Sequence, residues 1–555
     1  MFDKRFAVLW VLLLSLSAAP AMAAQSCNAN AMQTAPSGRY VDPGASTAQC
    51  WGSNASGQLG NGTATDSLTP VTVTGIRTAV VLGAGHDHSC SLQVDGTVQC
   101  WGWNTYGQLG NNSTTDSFTP VTVLKTVNSA VSVLTDVASL TVGREHSCAR
   151  LTDGSVWCWG LNSDGQLGTG DTVDTKTAVQ IAGITTAVAV AAGDSHSCAV
   201  LVDGSAWCWG RNDNGQLGNN SIIAAWAPAQ VVGISTATAI AAGGSHSCAR
   251  LNDGRVVCWG LNSSGQLGDG TKNESHTPVV VNGLATATAI AVGNAHSCSR
   301  LSDNTVWCWG QNNSGQLGNG LTTNVASPVK VSGITDAVDI AAGSDHSCAL
   351  LSVLNSDGKI ECWGLNADGQ LGNGRTDNSS IPVFVSGITK AAAIAAGAAH
   401  SCARLSKGTG TLLDTSTGLM WKRCSEGQTW DLVDQVCKGP ANSSLATPYT
   451  WQAALQRAQD VNRPQGDPLK VGENLGYSDW RLPNRNELAS LVEQQCSSPA
   501  INAADFPNTI AAPYWSSSPN AGYAQQAWSV DFSDGHVSGL AKTGSAYVRL
   551  VRGGQ

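Results

Sequence analysis

A single pattern, G-x-x-H-S-C-x-x-L…D-G…C-W-G-x-N-x-x-G-Q-L-G, recurs along most of this chain. Its C-W-G step begins at Cys50, Cys100, Cys158, Cys208, Cys258, Cys308 and Cys362. Its H-S-C step places Cys90, Cys148, Cys198, Cys248, Cys298, Cys348 and Cys402. The two series are out of phase. The first C-W-G precedes any H-S-C, and the last H-S-C has no C-W-G after it. Cys50 and Cys402 are therefore halves of one split repeat. An open stack gives no reason for that arrangement. A closed ring does, because the last unit is completed by the chain's first strand. Repeats of about 50 residues are the size of propeller blades. The expected fold is mainly β: a seven-bladed β-propeller with split-blade closure over 48–404, followed by a smaller α+β domain over 405–555.

One pass, residues 178–210, reads as four short strands: Ala178 to Ile181, Ala187 to Ala192, His196 to Leu201, and Ser205 to Trp209. Together they are expected to form one blade. A three-residue loop with Gly204 in the left-handed position pairs Leu201 with Ser205. Counting back places Cys198 opposite Cys208 in a non-hydrogen-bonded pair, where side chains approach closely enough for a disulfide. The same count pairs Cys90 with Cys100, Cys148 with Cys158, Cys248 with Cys258, and Cys298 with Cys308. Cys348 and Cys362 follow with a longer loop of unchanged parity. Closure then pairs Cys50 with Cys402; Cys27–Cys50 is the rival. Cys27, Cys424, Cys437 and Cys496 remain, with Cys424–Cys437 the first choice and Cys27–Cys496 the complement. Ten-residue spacings on facing strands argue against metal ligation.

The first residues bear on compartment. Lys4 and Arg5 precede an apolar run, Phe6 to Leu16, and a cleavage-type Ala21-Met22-Ala23. Residues 1–23 read as a secretory signal peptide and 24–47 as an N-terminal segment. Eighteen cysteines agree with a secreted, periplasmic or cell-surface protein in an oxidising compartment, with no membrane span after signal removal. The net charge is −9, yet residues 404–555 hold 13 basic and 13 acidic side chains. The repeats therefore carry the acidic excess, which argues against a nucleic-acid partner.

The seven C-W-G tryptophans are expected to pack between blades, with carbohydrate stacking the rival role. Histidines in H-S-C suggest a nucleophile pair or a metal ring. Seven identical copies, and adjacent side chains on opposite strand faces, instead favour buried histidines tying one blade to the next. No cofactor, metal or catalytic residue is assigned. Binding residues are sought where the copies differ. One variable loop, Asn219 to Ala227, holds Ile222, Ile223 and Trp226, either as an exposed interface anchor or as local packing over a strand.

The W-G-x-N-x-x-G-Q-L-G copies, such as Trp209 to Gly218, with G-x-x-H-S before each strand, resemble the regulator-of-chromosome-condensation-type propeller family. That resemblance implies a seven-bladed ring closed by strands from both chain ends. The family's nuclear member exchanges nucleotide on a small GTPase. The signal peptide argues against a small GTPase partner here, and a secreted bacterial propeller that inhibits an enzyme through a protein interface is the nearer analogy.

The remaining segment has its own pattern: Gly418-Leu419-Met420-Trp421, Tyr449-Thr450-Trp451, Gly476 to Pro483, Tyr514-Trp515-Ser516-Ser517-Ser518 and Val548 to Arg552. It looks like the C-terminal domain of bacterial collagen-like adhesins, whose fold is similar to C-type lectins and sulfatase-modifying enzymes. The resemblance implies recognition of extracellular polysaccharide or a surface protein. Candidate ligand-binding residues are Trp480, Arg481, Arg485, Trp515, Trp528, Asp531, Asp534 and Arg549; the arginines serve equally well as salt bridges pinning loops. Asp531 to Gly535 reads as a turn rather than a calcium loop. The expected function is a non-enzymatic exported adhesion or binding protein, with the propeller as platform. The alternatives are a secreted protein-interaction or inhibitor propeller, and an enzyme of the sulfatase-modifying type, which would need reactive cysteines.

Overall fold

The computed structural model describes residues 40–41, 47–352, 356, 358–405 and, between 411 and 553, all but 415–416, 418, 427, 432–435, 439–445, 463–478, 493–499, 502–505 and 507. The expected signal peptide, Cys27 and Cys496 lie outside the described residues.

The repeats form the expected strands but share them differently. Ala187–Ala192, His196–Leu201 and Ala206–Gly210 run antiparallel, and Ala225–Gln230 from the following pass takes the fourth, outermost place. Thr175–Gln180, expected in the same blade as Ala187–Ala192, pairs instead with Val156–Gly160 of the preceding sheet. The cause is the N-x-x-G-Q-L-G turn, which reverses the chain onto the outer edge of the strand it leaves. Asn212 is the hub of one such turn. Its Oδ1 accepts from Leu217 N–H at 3.0 Å, and its Nδ2 donates to Ser221 O and Ile223 O at 2.9 and 3.0 Å.

This reassignment changes the split sheet. Two strands come from each chain end rather than one from the first: Ser67–Thr72 and Thr47–Gly52 join His400–Leu405 and Ala391–Ala396. Cys50 faces Cys402 within it and is bonded to it. Seven sheets of this kind occur among the described residues in a propeller-like arrangement, six with four strands and one with six.

The hairpin register is as counted. Gly204 has φ +80°, Leu201 N–H reaches Ser205 O at 2.9 Å, and Cys198 faces Cys208. The disulfides Cys90–Cys100, Cys148–Cys158, Cys198–Cys208, Cys248–Cys258, Cys298–Cys308 and Cys348–Cys362 all form. Separations of ten residues, or fourteen for Cys348–Cys362, place each pair directly across a hairpin.

Neighbouring sheets interlock through one repeated set of bonds. His196 Nε2 lies 2.8 Å from Ser247 Oγ of the next sheet; that hydroxyl donates to Gln216 O at 3.0 Å, and Trp259 Nε1 donates to the same carbonyl at 2.9 Å. Because the serine proton is committed to Gln216 O, the histidine must donate through Nε2–H. His88, His146, His246, His296 and His346 make the same step to Ser147, Ser197, Ser297, Ser347 and Ser401. His400 returns to Ser89 at 2.7 Å and closes the ring. All seven histidines and all seven C-W-G tryptophans are fully buried. Histidine and serine therefore do converge, but between sheets, which a single strand's alternation does not reveal. Glycine is required beside them. A Cβ on Gly193 would stand 2.8 Å from His196 Cε1 and collide with Gly243 O of the next sheet.

The C-terminal part mixes both kinds of element. Thr411–Asp414, Leu419–Lys422 and Val551–Arg552 form a sheet whose edge strand is Tyr40–Val41. That strand precedes the propeller in the chain, so the N-terminal segment belongs partly to the C-terminal sheet. A second sheet holds Pro513–Pro519, Gln526–Asp531 and His536–Ala541. Among the described residues its helices are Trp451–Val461 and Arg485–Ala489, the latter started by an Asn484/Glu487 capping box. Cys424–Cys437 is formed. Glu426 is buried between Lys422 (2.9 Å) and Arg457 (2.7 Å). Burial works to raise its carboxyl, but the two cations outweigh it and hold it below the ordinary range. No helix among the described residues is long and apolar enough to cross a membrane.

Candidate binding surfaces

The sequence candidates in the C-terminal domain separate into three groups. Arg485 and Trp528 come together at the surface. Alternation along Gln526–Asp531 buries Ala527 and Ser529 and turns Gln526 and Trp528 to the other face. Gly539 stands opposite Trp528, so no side chain covers the indole from that strand. The Arg485 guanidinium lies 5.1 Å above the indole, a cation–π contact, with Arg485 N–H held by Ser518 Oγ at 3.0 Å. Asn520 Nδ2 bonds Gln526 Oε1 at 3.2 Å beside it. An aromatic face, a guanidinium and two amides thus share one surface. Gln526 was missed from sequence, because period two sets it with Trp528 and Val530, and Val530 is buried.

A second group is buried, which corrects its assignment as ligand-facing. Trp480, Trp515 and Arg549 are at most 2 % exposed. Trp480 and Trp515 pack with Leu482, Ala527 and Leu550. Trp515 Nε1 is spent on Tyr449 O at 2.7 Å. Arg549 donates to Lys422 O at 2.9 Å and Thr509 Oγ1 at 2.6 Å, and also to Arg423 O, under the faces of Phe506 and Tyr514. It pins a loop. Burial lowers its affinity for the proton.

The third group is occupied by local structure. Arg481 makes a two-pronged pair with Glu487, 2.8 Å on each arm, and donates to Gly553 O at 2.8 Å. Asp531 Oδ1 accepts from Ser533 N–H, and Asp534 Oδ1 from His536 N–H, both at 2.8 Å. Residues 531–536 are a hairpin turn, with each carboxylate engaged by its own backbone.

On the propeller, Ile222, Ile223 and Trp226 are 54 %, 76 % and 51 % exposed. Contrary to its expected place in the variable loop, Trp226 lies on the outermost strand Ala225–Gln230. Its backbone and ring lie over Gly165 of the preceding turn, close enough that a Cβ there would clash. Leu68, Phe118, His276, Ala326 and Ser380 occupy the same place over Gly369, Gly57, Gly215, Gly265 and Gly315. Since alanine and serine serve elsewhere, Trp226→Ala is expected to cost under about 1 kcal/mol; thermal denaturation measures it, and a larger loss would assign the ring to the core.

The axial channel provides a further polar surface that sequence reasoning did not single out. Of the two variable positions of G-x-x-H, the first lines its mouth. The pair carries charge in three consecutive copies, His86-Asp87, Arg144-Glu145 and Asp194, and is mostly small or neutral in the others. Beside them is a cleft of about 700 Å³ bordered by Tyr106, Arg144, Asp164, Asp194 and Arg211. The His86–Asp87 hydrogen bond (2.5 Å) raises His86 above its ordinary value, and burial raises Asp194.

A ring of sheets of four or six strands, stitched by disulfides and joined to an α+β domain with its own partly exposed aromatic surface, is the build of a propeller-type binding protein. The RCC1-like domain family matches residues 47–403, and the chain belongs to that family. Residues 410–552 match the Lcl C-terminal domain. Among solved structures, Prp20p from Saccharomyces cerevisiae, described with its binding to Gsp1p and histones, is 22% identical, with 66% of this chain and 92% of that one covered, at a TM-score of 0.58. Human WBSCR16 is 21% identical, with 65% and 99% covered, at 0.57. Identity at this level speaks for the fold alone.

Proposed function

We propose that the chain is an exported, non-enzymatic binding protein of the adhesion type. Its seven sheets act as the seven blades of a rigid propeller platform, and its C-terminal domain, of C-type-lectin-like fold, recognises extracellular polysaccharide or a surface protein. The observation that carries this reading is the Arg485–Trp528 pair with Asn520 and Gln526 beside it. Sugar rings offer apolar C–H faces to an indole and hydroxyl edges to amides and guanidinium. Eight disulfides among the described residues fit an oxidising, extracellular compartment, where a cytosolic GTPase is not met. Cys424 and Cys437 are bonded to each other, so neither offers the reactive thiol that sulfatase-modifying chemistry needs.

The second reading, a protein-interaction or inhibitor propeller of the secreted bacterial type, is favoured by the exposed Ile222, Ile223 and Trp226. A polysaccharide array probed with the full chain separates the two. Trp528→Ala is expected to weaken binding at least about tenfold, and Arg485→Ala several-fold, while Trp226→Ala leaves it unchanged. Unchanged binding by Trp528→Ala would overturn the assignment.

A further inference from the structure

The copies act as an internal control for edge protection. A strand at the rim of a sheet offers unpaired N–H and C=O groups to other strands, and proteins guard such edges with proline, charge or cover. Six of the outermost strands carry a proline at the fourth position: Pro70, Pro120, Pro228, Pro278, Pro328 and Pro382. The exception is Ala178 in Thr175–Gln180. Among the described residues, that edge alone is covered. The strand Leu124–Val127 pairs with it in parallel at Lys125–Ala178. Thr126 Oγ1 bonds Thr177 Oγ1 at 2.7 Å, and Lys125 Nζ stands 5.7 Å from the Trp157 ring.

The cover comes from an insertion. Cys100 to Cys148 spans 48 residues where Cys158 to Cys198 spans 40. The insertion is a tight hairpin of Leu124–Val127 and Ala130–Val133. Its turn residues Asn128 and Ser129 both have positive φ, 48° and 66°. The closing pair Val127–Ala130 is hydrogen-bonded, so alternation makes Lys125–Ser132 the next bonded pair. The N–H and C=O groups of Val131 and Val133 then point outward. No hydrogen bond reaches them among the described residues. Ala130–Val133 is exposed throughout, with Val131 at 48 % and Val133 at 40 %, and carries neither charge nor proline. The hairpin guards one edge and leaves its own open.

We propose that this open edge pairs with the same edge of a second copy of the chain, antiparallel about a two-fold axis at Ser132. Self-complementarity selects that occupant. The two outward-facing residues lie symmetrically about Ser132. Val131 of each copy therefore meets Val133 of the other, and all four outward N–H groups find an outward carbonyl. The valines face one another as β-branched cross-strand pairs. Neutral Ala130–Val133 brings no like charges together, although the whole chain carries −9. A contact of four residues a side is small, so the association is weak, with Kd on the order of 100 µM.

Sedimentation analysis of the full chain from about 5 to about 500 µM tests this. The wild type is expected to pass reversibly from monomer to dimer. Val131→Pro removes one outward N–H, as the six prolines do, and spares the bonds to Leu124–Val127. It is expected to weaken the dimer at least tenfold. Val133→Lys, which sets like charges across the join, is expected to do the same most strongly at low salt. A wild type that stays monomeric throughout overturns the proposal, as does a dimer that neither variant weakens.

Discussion

Replacing Cys50 and Cys402 together by alanine is expected to destabilise the propeller far more than replacing any other cysteine pair in it. The bond closes a loop of 352 residues, whereas Cys198–Cys208 closes one of 10. In the chain-entropy model the first is worth about 6 kcal/mol and the second under about 3 kcal/mol. The long-range bond also acts at the seam of the ring, because the split sheet takes two strands from each chain end. Guanidinium unfolding of the two double variants gives the comparison. Equal losses would mean that the unfolded chain is not held by the seam, and that the His400–Ser89 bond and strand pairing suffice to close it.

Acid is expected to unfold the ring cooperatively as the pH falls below the ordinary histidine value. Burial, the largest cause, depresses all seven histidines: His88, His146, His246 and His346 to about 3, and His196, His296 and His400 to about 4. The hydrogen-bond geometry explains why relief is absent. Nε2 already bonds serine, so a second proton must go to Nδ1, and in every copy Nδ1 is buried with no acceptor among the described residues. A base whose folded value is depressed leaves the unfolded chain holding more protons. Stability is therefore intact above the ordinary value of 6.5 and falls as pH drops from there towards the depressed values. With seven sites the slope approaches about 10 kcal/mol per pH unit. That compares with a whole-domain stability of about 5–15 kcal/mol, so the midpoint should lie near pH 5. Hydrogen exchange across a pH series would show it, with the propeller losing protection as one unit. A ring that keeps full protection at pH 4 would contradict the buried, singly protonated histidines.

Much of this was legible because the sequence repeats. Seven copies separate what the fold needs from what varies, and the parity of a Gly204-type hairpin fixes the cysteine register. The sharing of strands between sheets was not legible. Thr175–Gln180 is a good strand whichever sheet it joins, and only the reversal at Asn162 decides that it stays with Val156–Gly160. Nor was the meeting of histidine with serine, since it happens between strands more than 50 residues apart along most of the ring. The hairpin at Leu124–Val133 left a trace in the spacing of Cys100 and Cys148, but only the edge at Ala178 explains its presence. In the C-terminal domain, aromatic and basic residues announced themselves by type. Type does not tell Trp515, at 0 % exposed and bonded to Tyr449, from Trp528, facing a glycine. That distinction depends on which strands pack over which face.

The Cys50–Cys402 bond closes the ring covalently. Peptide mapping of the native chain under non-reducing conditions, with alkylation of any free thiol, tests it most directly. The expected result is a Cys50 peptide linked to the Cys402 peptide, six linked hairpin pairs from Cys90–Cys100 to Cys348–Cys362, and no alkylated cysteine in the propeller. A Cys50 peptide linked to Cys27, or free thiols at Cys50 and Cys402, would contradict it.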